Sequence, residues 1–193
     1  YAQTESITIN LVQTVSDMTA IAVENIVINS NNPSVTVEAE LPSFLGAFNE
    51  ISATLSVSCP AGGCGEWDRK ASIDAKTHDG RWIEIIRYIT PYGTACNHTT
   101  DLTDYASLLQ GKIAFRVNCG TLDNGYIYDL SIDYKAGTPD HIYSAISVVW
   151  QDTYPFGDYA NLQPVENKSI TFPTEAVAAK LKILSSLCFN SFI

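Results

Sequence analysis

Apolar and β-branched residues alternate with polar ones in short runs along almost the whole chain, the period-two pattern of half-buried strands. Runs at residues 7–12, 21–28 and 34–39 are followed by 51–58, 71–76, 82–89, 113–118, 126–134 and 143–150, with a last group over 168–184. His78-Asp79-Gly80 predicts a hairpin between two of them, because Asp-Gly supplies the positive φ of a tight turn. Asn124-Gly125 predicts another turn. Residues 101–109 alone suit a helix, a short crossover capped by Asp101 or Thr103 and ended by Gly111. Roughly ten short strands with closely spaced turns specify an all-β antiparallel sandwich. No repeat, linker or low-complexity tract divides the chain, so one sandwich is the simplest architecture.

Composition narrows the partners. The 193 residues suit one domain, and 46% hydrophobic with 10% aromatic residues supply a core. A net charge of −10 disfavours nucleic acid and anionic membrane surfaces, which both call for cationic side chains. No apolar run approaches the ~20 residues of a bilayer span. Few lysines, many Ser, Thr, Asn and Tyr residues, and a start at Tyr1 fit an exported protein after leader removal. The missing methionine fits an arbitrary chain boundary equally.

Five cysteines occur, at 59, 64, 96, 119 and 188. Cys59 and Cys64 flank Pro60, Gly62 and Gly63, a flexible loop that can bring two sulfurs together. The alternative, half of a zinc site, lacks further ligands, because His78, His98 and His141 are scattered. Cys96 and Cys119 are candidates for a second bridge, with Cys188 left over.

The stretch richest in chemistry is Cys59-Pro60-Ala61-Gly62-Gly63-Cys64-Gly65-Glu66-Trp67-Asp68-Arg69, between two strand candidates. Asp68 suits a general base or an anchor for a sugar hydroxyl, Trp67 a sugar-stacking surface, and Arg69 a partner for the carboxylate or for a substrate oxygen. Spacing alone favours the ordinary alternative of a surface acid–base pair beside a core tryptophan.

This segment resembles the signature of the peptide:N-glycosidase F family, secreted bacterial amidases that release N-linked glycans from asparagine. Further blocks recur in the same order. Trp82-Ile83-Glu84-Ile85 through Arg87-Tyr88-Ile89-Thr90-Pro91-Tyr92 resembles the family's strand and its Ile-Thr-Pro-Tyr loop. Leu102-Thr103-Asp104-Tyr105 with Ser107-Leu108-Leu109 resembles a turn of the family. Gly137-Thr138-Pro139-Asp140 and Tyr143-Ser144-Ala145 match another block. The matches run from about residue 51 to 172.

The resemblance implies a fold and a chemistry. The family pairs two eight-stranded jelly rolls with a catalytic cleft between them, and this chain resembles the first. The implied architecture is a single antiparallel eight-stranded jelly-roll sandwich with extra N-terminal strands. Residues 1–45 would give edge strands and 46–193 the roll, with the second roll absent. The reaction is water attack on the amide joining sugar to asparagine, with no metal or organic cofactor. The catalytic carboxylate falls on Asp68, with Trp67, Arg69 and Glu66 as substrate contacts. A second family acid falls at Cys119, and Asn118, Gly120 and Thr121 are not acidic either. A third belongs to the second roll. The implied protein is therefore half of such an amidase, with little activity by itself, secreted or on the cell surface, and taking an N-glycosylated peptide or glycan as partner. Copper chemistry would need clustered histidines, which are missing.

The rival expectation is a non-catalytic secreted module that binds glycan or protein. Tyr88, Tyr92, Tyr154, Phe156 and Tyr159, with Asp152 and Asp158, would then line a carbohydrate surface; ordinary loop packing around Pro155 and Gly157 is the plainer alternative. Asn97-His98-Thr99 and Asn167-Lys168-Ser169 have the form of glycan-acceptor triplets. The apolar end at Leu187, Phe189, Phe192 and Ile193 suggests a shortened reading frame or an edge strand.

Overall fold

Strict alternation at Ile51, Ala53, Leu55 and Val57 against Ser52, Thr54, Ser56 and Ser58 sends one set of side chains inward and the other outward, and the fold is built on this rule. The computed structural model describes residues 15–43, 46–120, 123–142, 145–151 and 167–184. It contains eight strands: β1 (Met18–Ile28), β2 (Ser34–Leu41), β3 (Phe48–Ser58), β4 (Lys70–Lys76), β5 (Trp82–Ile89), β6 (Cys96–Asp101), β7 (Gly111–Cys119) and β8 (Tyr126–Ala136). One four-stranded sheet has the order β1-β8-β3-β6 and the other β2-β7-β4-β5, with every pair antiparallel. Chain order thus alternates between sheets except at the β4–β5 hairpin, which is the jelly-roll winding. β1 and β2 are themselves outer strands of the two sheets and count among the eight.

The core lies between the sheets. Leu55, Ile73, Ile85, Ile113, Phe115, Val117, Tyr128, Leu130 and Ile132 are all fully enclosed there. Burying one such side chain is worth about 1.5–3 kcal/mol, so the alternating rows supply most of the driving force. Alternation fails at Ile85-Ile86, two consecutive buried residues. The ladder absorbs the fault with a bulge, Ile73 facing Ile86 and Asp74 facing Glu84. A similar irregularity in β1 carries Asn25 at φ 50°, held by its N–H donating to the Asp129 carboxylate at 2.7 Å.

The winding places the β1–β2, β3–β4, β5–β6 and β7–β8 connections at one end of the sandwich, and this end carries the Cys59–Arg69 segment. The His78-Asp79-Gly80 hairpin turns at the opposite end, with Gly80 at φ 86°.

Several sequence expectations are corrected. Residues 101–109 form no α-helix; after β6 comes one 3₁₀ turn at Thr103–Tyr105, whose Thr103 N–H donates to Asp101 Oδ1 at 2.9 Å. Leu102, Tyr105, Leu108 and Leu109 are buried, so tertiary packing rather than helix formation uses these apolar residues. β6, with sequence CNHTTD, escaped prediction because it carries almost no apolar alternation. No strand forms at 145–151. Instead the Gln151 amide serves the outer edge of β5, accepting from Glu84 N at 3.1 Å and donating to Trp82 O at 3.2 Å.

Residues 167–184 form no ladder either. Lys180 bonds Asp104 Oδ1 at 2.7 Å, and Lys182 donates to Asp101 O at 2.8 Å over the Tyr105 ring. Side chains, not backbone, anchor this segment. The expected strand at 7–12 and residues 143–144 lie outside the described residues.

Gly125 shows how tightly the loop end is closed. Its φ is 71°, and a Cβ there would fall 1.8 Å from the Ile28 carbonyl oxygen. Gly125→Ala is therefore expected to destabilise the chain by more than about 3 kcal/mol, read as a lowered midpoint in urea denaturation. A change under about 0.5 kcal/mol would mean the β7–β8 connection does not pack against β1 as described.

Candidate functional site

The site is assembled from loops that bond to one another. Cys59 and Cys64 form a disulfide with Cα atoms 4.4 Å apart. This excludes the zinc alternative, and Gly63 N–H closes the small loop onto Pro60 O at 2.9 Å. Asn124 Nδ2 donates to Gly62 O at 2.7 Å, joining the β7–β8 connection to the cystine loop.

Gly65 is the crossing point. Its N–H donates to Gly125 O at 3.0 Å, and its carbonyl accepts from Gly93 N at 3.0 Å and from the Tyr126 hydroxyl at 2.9 Å. The same hydroxyl reaches Pro91 O, so one phenol proton is shared between two loops. Burial pushes the Tyr126 hydroxyl above its ordinary pKa, keeping it a donor. A side chain at Gly65 would meet Asp123 Oδ1 at 2.7 Å and the Tyr126 ring at 3.1 Å. Asp123 clips the arrangement, accepting from Gly125 N at 3.0 Å and Glu66 N at 3.2 Å.

Thr90 holds the next three residues. It is buried; its hydroxyl accepts from Arg69 N at 2.8 Å and donates to Trp67 O at 3.4 Å, and its N–H donates to Arg69 O at 2.9 Å. The backbone on both sides of Asp68 is therefore fixed while its side chain is left alone. Asp68 is half-buried, and among the described residues no hydrogen bond or ion pair engages its carboxylate. The expected partner role of Arg69 is not realised. Arg69 is half-buried, and its Nε is enclosed without a hydrogen-bond partner.

Trp67 is 52% exposed and Tyr92 62% exposed, their rings edge to face with centroids 5.5 Å apart. Trp67 is thus not a core plug. Glu66 is exposed and contributes its backbone to Asp123. The loops bring all four predicted site residues to one rim. Chemically, the rim offers an unpaired carboxylate, an underused guanidinium and an apolar stacking corner, and these groups suit a polar ligand with a flat apolar face. Two surface depressions lie elsewhere, one floored by Phe48, Ile51 and Leu109 at the far end and one beside Asp133 on an outer sheet face.

Sequence reasoning missed the anchors Thr90, Asp123 and Tyr126. The Ile-Thr-Pro-Tyr block and the Asp-Asn-Gly turn were the available signals. Two further expectations change. Tyr88, placed on an exposed aromatic surface, is 8% exposed and belongs to the core; Tyr154, Phe156, Tyr159, Asp152 and Asp158 lie outside the described residues. No disulfide joins Cys96 and Cys119, which remain thiols. They enter the core from different sheets, Cys96 on the outer strand β6 and Cys119 on β7, and the phenols of Tyr88 and Tyr128 occupy the same layer. Cys188 lies outside the described residues. Among the described residues, no three His, Cys, Asp or Glu side chains gather in a metal-holding arrangement, and no helix is long and apolar enough to cross a membrane.

Removing the shared phenol proton tests this construction. Tyr126→Phe leaves two carbonyls short of a donor and is expected to cost about 1–3 kcal/mol in denaturant unfolding, with faster amide exchange at Gly65 and Gly93. Unaltered exchange at both positions would show that the loops are held independently.

No protein-family model matches the chain. The peptide-N(4)-(N-acetyl-beta-D-glucosaminyl)asparagine amidase F of Elizabethkingia miricola is 33% identical over 154 residues, covering 73% of this chain and 43% of that enzyme. The structure of PNGase F, a glycosylasparaginase from Flavobacterium meningosepticum, superposes with a TM-score of 0.63 at 28% identity, over 67% of this chain and 45% of that one. PNGF-II shares the fold, with a TM-score of 0.55 at 14% identity, over 65% of this chain and 35% of its own. The chain spans less than half the length of these relatives. Sequence and structure together show that the chain is homologous to PNGase F over part of that enzyme's length and shares its jelly-roll fold there.

Proposed function

We propose that this chain is the amino-terminal half of a secreted amidase acting on N-glycosylated peptides, with Asp68 as its catalytic carboxylate. The observation that carries the reading is the unpaired, half-buried Asp68 carboxylate on a backbone pinned by Thr90, beside the exposed Trp67–Tyr92 corner. The activity of the Elizabethkingia relative, a peptide-N(4)-(N-acetyl-beta-D-glucosaminyl)asparagine amidase, supplies the substrate class.

The chemistry follows from what an amide requires. Its carbonyl is a weak electrophile, so water must lose a proton as it attacks. An ionised Asp68, free of competing donors, takes that proton. The new bond joins water oxygen to the carbonyl carbon, the carbon–nitrogen bond breaks, and the nitrogen departs protonated as a glycosylamine, leaving aspartate in the peptide. Arg69 lies beside the forming oxyanion and supplies positive charge to it. Trp67 and Tyr92 offer a corner for the apolar face of a sugar ring, with Glu66 at the outer margin.

One rim does not make a cleft. A second jelly roll, matching the remaining length of the relatives, would supply the opposite wall and a further acid. The family resemblance puts another acid at the position of Cys119, and that side chain is buried in the core. Losing one positioned group commonly costs about a hundredfold or more in rate, so this chain by itself is expected to release little or no glycan. An extracellular location agrees with the Cys59–Cys64 disulfide, since such bonds persist in oxidising compartments.

Two measurements test the reading. Titrating an N-glycosylated peptide into the chain by isothermal titration calorimetry is expected to give weak saturable binding, reduced roughly tenfold or more by Trp67→Ala. Prolonged incubation with denatured glycoprotein is expected to show at most trace release, absent in Asp68→Asn. Release persisting in Asp68→Asn, or binding indifferent to Trp67, would refute the assignment.

A further inference from the structure

The β6 edge carries a second reactive arrangement. Cys96 and His98 alternate on the same face of this outer strand, and Cys96 Sγ lies 3.3 Å from His98 Nε2. β6 pairs only with β3, so this face looks into the open margin between the sheets and both side chains are half-buried. Tyr88 of β5 closes the far side, its ring centroid 5.2 Å from that of His98. The Tyr88 side chain is more than nine-tenths buried; its hydroxyl has no partner at full hydrogen-bond geometry, faces the Tyr128 hydroxyl and lies within electrostatic reach of the Cys96 thiol. The other titratable groups of this layer are Cys119 on β7 and Tyr126 and Tyr128 on β8.

Each group has a distinct capability. The thiol is a nucleophile once deprotonated, and the imidazole can accept its proton. Burial pushes the Cys96 thiol above its ordinary value, so little thiolate stands at neutral pH. Attack therefore requires the ring to take the proton as the sulfur engages. Cys119 differs: it is buried, and it has no such access.

We propose that Cys96, served by His98, is a thiol–disulfide exchange site that captures small aliphatic disulfides from solution as a mixed disulfide. The thiol proton passes to His98 Nε2 while Cys96 Sγ attacks one sulfur of the disulfide RSSR. The Cys96–sulfur bond forms, the RS–SR bond breaks, and the departing RS⁻ recovers the proton from the imidazolium. Cys96-SH and RSSR thus become Cys96-S-S-R and RSH, the protein sulfur oxidised and the reagent reduced. The step leaves the Cys59–Cys64 bond and Asp68 untouched, so it stands or falls independently of the amidase reading.

The test uses the whole chain and oxidised glutathione, followed by mass spectrometry and peptide mapping. In a Cys188→Ser background, one glutathionyl adduct on Cys96 is expected, none on Cys119 until urea unfolds the chain, and none in the folded Cys96→Ser derivative. His98→Asn, with its fold checked by near-ultraviolet circular dichroism, is expected to slow capture roughly tenfold at neutral pH. Should that variant fail to fold, comparing the native and urea-unfolded wild type decides: Cys96 reacting at least as fast in the native state supports the site. Slower native reaction, an adduct on folded Cys119, or capture indifferent to a folded His98→Asn would overturn it.

Discussion

Tyr126 begins β8 with its ring in the core and its hydroxyl at the rim, where it divides one proton between Gly65 O and Pro91 O. Through this phenol the position of the loops is tied to the packing of the sheets. The ring cannot move without repacking its fully enclosed neighbourhood, and the two carbonyls cannot move without losing a donor in a dry setting. Asp123 and Thr90 extend the same logic to the backbone of Glu66 and Arg69. A polar group left over at such a place is informative. Asp68 sits in a segment whose backbone polar groups are bonded on both sides, while among the described residues no hydrogen bond or ion pair engages its carboxylate.

The jelly-roll winding explains why these loops meet. Because successive strands alternate between sheets, four of the crossovers gather at one end, and residues 30 to 60 positions apart in sequence become neighbours. The cystine loop gives local stiffness, worth about 2 kcal/mol for so short a closure on a chain-entropy account. The positioning itself comes from bonds between loops.

Much of the fold was legible in the sequence, because burial on one face writes a period of two into the chain. β3 and β8 show this cleanly, with Ile51 to Val57 and Tyr126 to Tyr134 alternating without fault. β6 was illegible for the same reason: a polar outer strand, with only one side partly covered, has no apolar row to display. Residues 101–109 misled because Leu102, Tyr105 and Leu109 fall at near-helical spacing, although each is buried by tertiary contacts around a single 3₁₀ turn. Over 168–184 the apolar residues suggested a strand, yet Leu181 and Ile183 stand exposed while Lys180 and Lys182, alternating with them, make the ties. At the site, the segment carrying Asp68 was visible as a motif. Its supports were not, since Thr90 and Tyr126 acquire their roles only from partners more than 20 residues away.

The Gln151 amide beside β5 has a wider consequence. An outermost strand exposes a row of vacant donors and acceptors, a template on which a foreign strand can grow. By bonding both Glu84 N and Trp82 O, a single side chain fills one rung of that template with a group that cannot propagate it. The bulge at Asn25 interrupts β1, at the border of the other sheet, in a different way, twisting its backbone out of line. One outer strand of each sheet is thus guarded against polymerisation.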